Sequence, residues 1–129
     1  MQSVASNGAA ISDAQLDAAV LKWANQRVAD SGRTAHQLTS FSDRSVASGL
    51  FLVDLLAAVE PEVINFRIVT TGSTAHEREL NARYVVSAAR KMGCSMPLLW
   101  EDIAEARSPK TILAFIAAVL VHTTRTTHS

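Results

Sequence analysis

Residues 41–61 read FSDRSVASGLFLVDLLAAVEP, and the fold turns on this stretch. Ser42 and Asp43 carry short side-chain oxygens that can accept the unpaired N–H groups opening a helix, and Phe41 just before them can pack back on its first turns. Val46, Leu50, Val53 and Ala57 then recur every three or four residues, which lines them along one helical face. Pro61 cannot continue a helix, so the pattern predicts a long helix ending at Glu60. Asp54 lies inside this apolar run with no second carboxylate or histidine at a matching spacing. A hydrogen bond to backbone or to an arginine is therefore expected of it, and no catalytic role.

The flanking segments repeat the helical reading. Upstream, Ser12 and Gln15 have capping-box spacing, so a first helix should begin at Asp13, and Gly32 can supply its left-handed close. Leu16, Val20, Trp23, Ala24 and Val28 share one arc of that helix. Ala18, Lys22, Asn25, Gln26 and Ala29 share the opposite, polar one. Trp23 is expected inward, as a core anchor whose truncation would cost roughly 3–5 kcal/mol. Downstream, Ile64, Phe66 and Ile68 alternate as a strand would, but a lone strand has no partner. Val63 to Thr71 is accordingly read as a short helix or irregular piece whose apolar residues plug the core.

Thr74 and Glu77 repeat the capping-box spacing, Leu80, Tyr84, Ala88 and Met92 share a face, and Gly93 marks the end of a third long helix. Pro97 turns the chain into a short helix around Glu101 to Ala106, and Ser108 with Pro109 starts the last one. Ile112 to Val121 is apolar almost all round and is expected to be the axis of the bundle. The fold class is thus all-α: four long helices with short connecting helices.

Composition narrows the function. At 129 residues, 48% of them hydrophobic, the chain can close one core without metals or disulfides. Twelve basic and twelve acidic side chains cancel, which disfavours nucleic acid and anionic membranes as partners. Only Lys22, Lys91 and Lys110 are lysines, so cationic patches are built mainly of arginine, which suits carboxylates on a protein partner. A lone Cys94, and a start from Met1 to Ala10 without the features of a secretion signal, fit a reducing, cytoplasmic setting. The longest apolar run falls short of the roughly 20 residues that cross a bilayer.

His36, His76, His122 and His128 are scattered and form no zinc spacing with the single cysteine, so no metal is expected. Neither a nucleophile elbow nor a glycine-rich phosphate loop occurs, so no catalytic residue and no cofactor is assigned. Residues 1–10 and 123–129 are small and polar and are expected to be flexible tails on a domain spanning 11–122. Such a pattern is compatible with one unit of a longer protein.

The helix order and several motifs together resemble a calponin-homology domain. Phe41-Ser42-Asp43, Val53 through Pro61, Ile64-Asn65-Phe66, and Val69 with Gly72 are similar in order and spacing to the third-helix region of the C-terminal, fourth repeat of the fimbrin/plastin family. Asn81-Ala82-Arg83-Tyr84, Ser87 through Lys91 with Gly93, Glu101-Asp102-Ile103 and Pro109-Lys110 extend the likeness across nearly all of Ile11 to His122. Trp100 departs from the pattern, which has proline before Glu-Asp, and lysines are sparse. The resemblance implies an actin-filament-binding module of a cross-linking, bundling protein of the actin cytoskeleton, paired with a neighbouring calponin-homology repeat. It also implies that the arc Ala18, Lys22, Asn25, Gln26 and Ala29 faces F-actin. The competing expectation is an adaptor domain that binds another protein and never touches actin.

Overall fold

A computed structural model describes residues 12–33, 36–94 and 97–127. Five α-helices make the body: α1 (Asp13–Asp30), α2 (Leu50–Val59), α3 (Ala75–Met92), α4 (Trp100–Ala104) and α5 (Pro109–Thr127). Three 3₁₀ turns, Arg44–Ser48, Pro61–Val63 and Phe66–Ile68, join them, and there is no strand among the described residues. The all-α expectation of four long helices with short connecting ones holds.

The first cap is as read. Ser12 Oγ accepts from the Gln15 N–H at 3.1 Å, and Gln15 Oε1 accepts from the Ser12 N–H at 2.9 Å. At α3 the spacing delivers half of that motif. Thr74 Oγ1 accepts from the Glu77 N–H at 3.1 Å, while the Glu77 carboxylate reaches past Thr74 to the Ser73 N–H and the Thr71 hydroxyl, both at 2.9 Å. Gly32 and Gly93 take the left-handed conformation at the ends of α1 and α3.

The second helix differs from expectation. Asp43 does cap, accepting from the Ser45 N–H at 2.9 Å, but what it opens is the 3₁₀ turn Arg44–Ser48. The chain then breaks at Gly49, with φ +79°, before α2 begins at Leu50. The cause lies in a distant part of the chain. Gly49 is pressed against α3 so closely that a Cβ there would stand 2.8 Å from Asn81 Cβ, and one on Gly72 would stand 2.8 Å from the Ser48 carbonyl oxygen. Asn81, itself buried, bridges the junction. Its Nδ2 donates to the Ser48 and Thr70 carbonyls at 2.8 and 3.1 Å, and its Oδ1 accepts from the Thr70 N–H at 2.9 Å.

The axis of the bundle is α2, not α5. Every residue from Phe51 to Ala57 is buried, with α1 packed on one side and α3 on another. α5 packs on α1 and α4, burying Ile112, Phe115, Ile116 and Val119 but leaving Ala114 and Val121 exposed. It also runs through Thr123 to Thr127, where a tail was expected after His122. The expected tail at residues 1–10 lies outside the described residues.

Of the alternating residues between α2 and α3, only Ile64 enters the core, while Phe66 and Ile68 remain exposed. The face of α3 is likewise rotated from the one read off the sequence. Leu80 is exposed, and the buried line is Asn81, Ala82, Val85, Ala88, Ala89 and Met92.

Candidate functional site

The orientation of α1 follows from which of its small residues fit against α2 and α5. Ala24 and Val28 are fully buried, and Val20 and Leu21 flank them. Leu16 and Trp23 therefore sit at one margin of the buried stripe and not at its centre. Leu16 is 50% exposed, and Trp23 is only partly buried, which corrects the expectation of a fully inward anchor. Its ring instead walls an open depression of about 420 Å³ with Ala19, Lys22, Gln26, Arg27 and Asp30.

The five residues of the expected outer arc separate into two groups. Ala18, Lys22 and Gln26 are exposed. Asn25 and Ala29 are half-buried, and the Asn25 amide is committed to the following loop: Nδ2 donates to the Leu38 carbonyl at 2.8 Å and Oδ1 accepts from the Leu38 N–H at 2.9 Å. The Asn25 carbonyl also accepts from Gln37 Nε2 at 3.2 Å. Asn25 thus fastens the loop onto α1. Gln26 Nε2 donates to Asp30 Oδ1 at 2.7 Å, which holds both side chains along the helix surface.

Sequence reasoning missed Trp23, Ala19, Arg27 and Asp30 as surface residues. The only available signal was that Ala24 and Val28 alone can define a stripe, one centred away from Trp23. The face as a whole is mixed in charge, with Lys22 and Arg27 against Asp30. It can offer hydrogen bonds, one aromatic edge and small residues, but no concentrated field.

The remaining polar groups serve the fold. Asp54, 7% exposed at its side chain, is bonded to His36 Nδ1 at 2.8 Å, so its partner is a loop histidine and neither backbone nor arginine. Tyr84 Oη accepts from the Asn65 N–H at 2.7 Å and anchors the segment between α2 and α3. Cys94 is buried, which pushes its thiol pKa up and keeps the thiol neutral. Among the described residues, no three His, Cys, Asp or Glu side chains are grouped to hold a metal, and no helix is long and apolar enough to cross a membrane.

The described residues form a small all-helical module with an exposed, mixed-charge face on α1. The chain belongs to the calponin homology (CH) domain family, whose model matches residues 14–125. It is 47% identical over 104 residues to Fimbrin-5 of Arabidopsis thaliana, which covers 81% of this chain and 15% of that protein. Fimbrin of Saccharomyces cerevisiae is 37% identical over 120 residues, covering 93% of this chain and 18% of the yeast protein. Plastin-3 of Homo sapiens is 32% identical over 105 residues, covering 81% and 16%. The crystal structure of the actin-crosslinking core of Schizosaccharomyces pombe fimbrin superimposes with a TM-score of 0.75 at 36% identity, over 81% of this chain and 22% of that one. The chain therefore spans less than a fifth of the length of each of these three relatives.

Proposed function

We propose that this chain is an actin-filament-binding module of a fimbrin/plastin-like cross-linking protein, corresponding to its fourth, C-terminal calponin-homology repeat and acting beside a preceding repeat in the cytoplasmic actin cytoskeleton. The observation that carries this is the match, in both fold and sequence, to the actin-crosslinking core of a fimbrin. The working surface is the outer face of α1. Ala18, Lys22 and Gln26 meet the filament, Ala29 lets it approach closely, and Asn25 fixes the loop after α1 to the helix at Leu38. Binding is by surface complementarity, with no bond made or broken.

The test is co-sedimentation with actin filaments of the chain joined to its preceding repeat, wild type against Lys22→Glu/Gln26→Glu. Actin's surface is acidic, so the introduced carboxylates repel it, and pelleting should drop by well more than the loss of one exposed contact, about 1 kcal/mol or less, would cause. Helicity and melting temperature are measured alongside, because Gln26→Glu sets a like charge four residues before Asp30 and costs the helix about 0.2–0.5 kcal/mol. A folded double variant that pellets like the wild type overturns the assignment of this face, and favours an adaptor domain that binds another protein.

A further inference from the structure

A second exposed surface lies where α3 meets α4. Arg83, Val86 and Arg90 of α3 face Leu98, Leu99 and Trp100 across a groove of about 210 Å³. The Trp100 ring is half-buried and lies under the Arg83 guanidinium, 4.8 Å from carbon to ring centroid. Leu99, which precedes it, is 62% exposed. An exposed leucine beside a half-buried tryptophan makes an apolar floor that nothing in the described fold covers.

The rims of the groove are cationic. Arg83 uses Nε to donate to Glu79 at 2.7 Å, which leaves the outer edge of its guanidinium free to take a second carboxylate. Arg90 is exposed and has no ion-pair partner among the described residues. Two acidic groups nearby are already engaged, while Glu101, next to Trp100, has no ion-pair partner among the described residues. Glu79 pairs with Arg83, and Asp102 accepts from the Leu99 N–H at 3.1 Å and from Arg107 at 2.9 Å. The two arginines are two helical turns apart, about 10.5 Å along α3, with Val86 between them. In an extended peptide, side chains two and four positions apart share a face, and four positions span about 13 Å, within reach of two long arginine side chains.

We propose that this groove binds an extended acidic segment of a partner protein, in which two carboxylates four positions apart flank a large apolar side chain at the middle position, all three on one face of the peptide. The carboxylates engage Arg83 and Arg90, and the apolar side chain lies over Val86, Leu99 and Trp100. Arginine forks favour carboxylates over hydrated cations or neutral amides, and the apolar floor between them rejects a purely ionic ligand.

Fluorescence anisotropy tests this with a labelled peptide carrying two aspartates four positions apart and leucines between them. The controls are the same peptide with asparagines and one with serines in place of the leucines. The wild-type chain should give a saturable isotherm with the first peptide alone. Arg90→Glu should weaken binding at least about tenfold, the equivalent of one charge-assisted contact, and Leu99→Ser should weaken it several-fold. Arg67→Glu, the same charge change on the exposed turn Phe66–Ile68, should leave it unchanged. Leu99→Ser alters an exposed residue, so it remains informative if a glutamate in the last turn of α3 loosens that helix. Equal binding of the asparagine peptide, unchanged affinity in both groove variants, or no saturation by about 1 mM peptide overturns the proposal.

Discussion

Asn81 and Asp43 show how single side chains hold turns that local propensity does not. Asn81→Ala removes three hydrogen bonds and leaves the Ser48 and Thr70 carbonyls and the Thr70 N–H at a tightly closed junction. Each such group costs about 1–3 kcal/mol when unsatisfied, so a loss of about 3 kcal/mol or more is expected, read as a lower urea midpoint. Gly49→Ala should cost a comparable amount by a different route, since it places a Cβ against Asn81 at positive φ. Asp43 acts through its charge. The Thr39 and Ser45 N–H groups donate to its carboxylate and hold the pKa down, from 3.8 to about 2. A carboxylate depressed by folding stabilises above its unfolded pKa, and that contribution is lost as pH falls through the folded value. Asp43→Ala should therefore cost about 1 kcal/mol at neutral pH, as lost caps do. The gap from wild type should narrow between pH 4 and pH 2. A gap that stays constant over that range would show that the charge is not what matters.

At the scale of elements, burial rather than apolar content decides which helix matters most. Phe51 on α2 is fully enclosed and Trp23 on α1 is not, although the tryptophan is the larger residue. Phe51→Ala should cost about 3–5 kcal/mol. Trp23→Ala should cost about 1–3 kcal/mol, because much of its area stays in water in both states. Equal losses in thermal melts would place Trp23 in the core after all. The same contrast explains what could be read in the sequence. Caps and helix ends were legible because Ser12 with Gln15, or Thr74 before Gly93, act within a turn or at the end of their own helix. The break at Gly49 was not, since it answers to Asn81 on another helix. Nor could spacing choose between two apolar helices for the axis: Asp54 made α2 look less buried than it is, and its partner His36 comes from a loop. On α1 the polar arc was legible as an arc. That Asn25 ties down Leu38, and that Trp23 borders the same surface, required knowing where the loop and α5 lie.

For the molecule as a whole, the decisive quantity is valency. The outer face of α1 is part of one helix, far smaller than the roughly 800 Å² per partner of a stable protein interface, so one copy should hold a filament weakly. A filament, however, repeats its sites. If the proposed function is right, two copies joined by a flexible Gly/Ser linker turn the second contact into an intramolecular one, at an effective concentration near the millimolar range for short linkers. A linker of about 15 residues has a mean reach of roughly 20 Å and spans more when stretched, enough for neighbouring sites or for two closely apposed filaments. High-speed co-sedimentation should then show the tethered pair binding at least about tenfold more tightly than the single copy, since avidity gains of this kind commonly exceed that factor. Low-speed pelleting should show bundles with the pair and none with the single copy. Lys22→Glu/Gln26→Glu placed in both halves separates avidity from aggregation of the fusion. The variant should abolish the gain if α1 is the contact, whereas a gain that survives it would mean that the tether or another surface brings the filaments together.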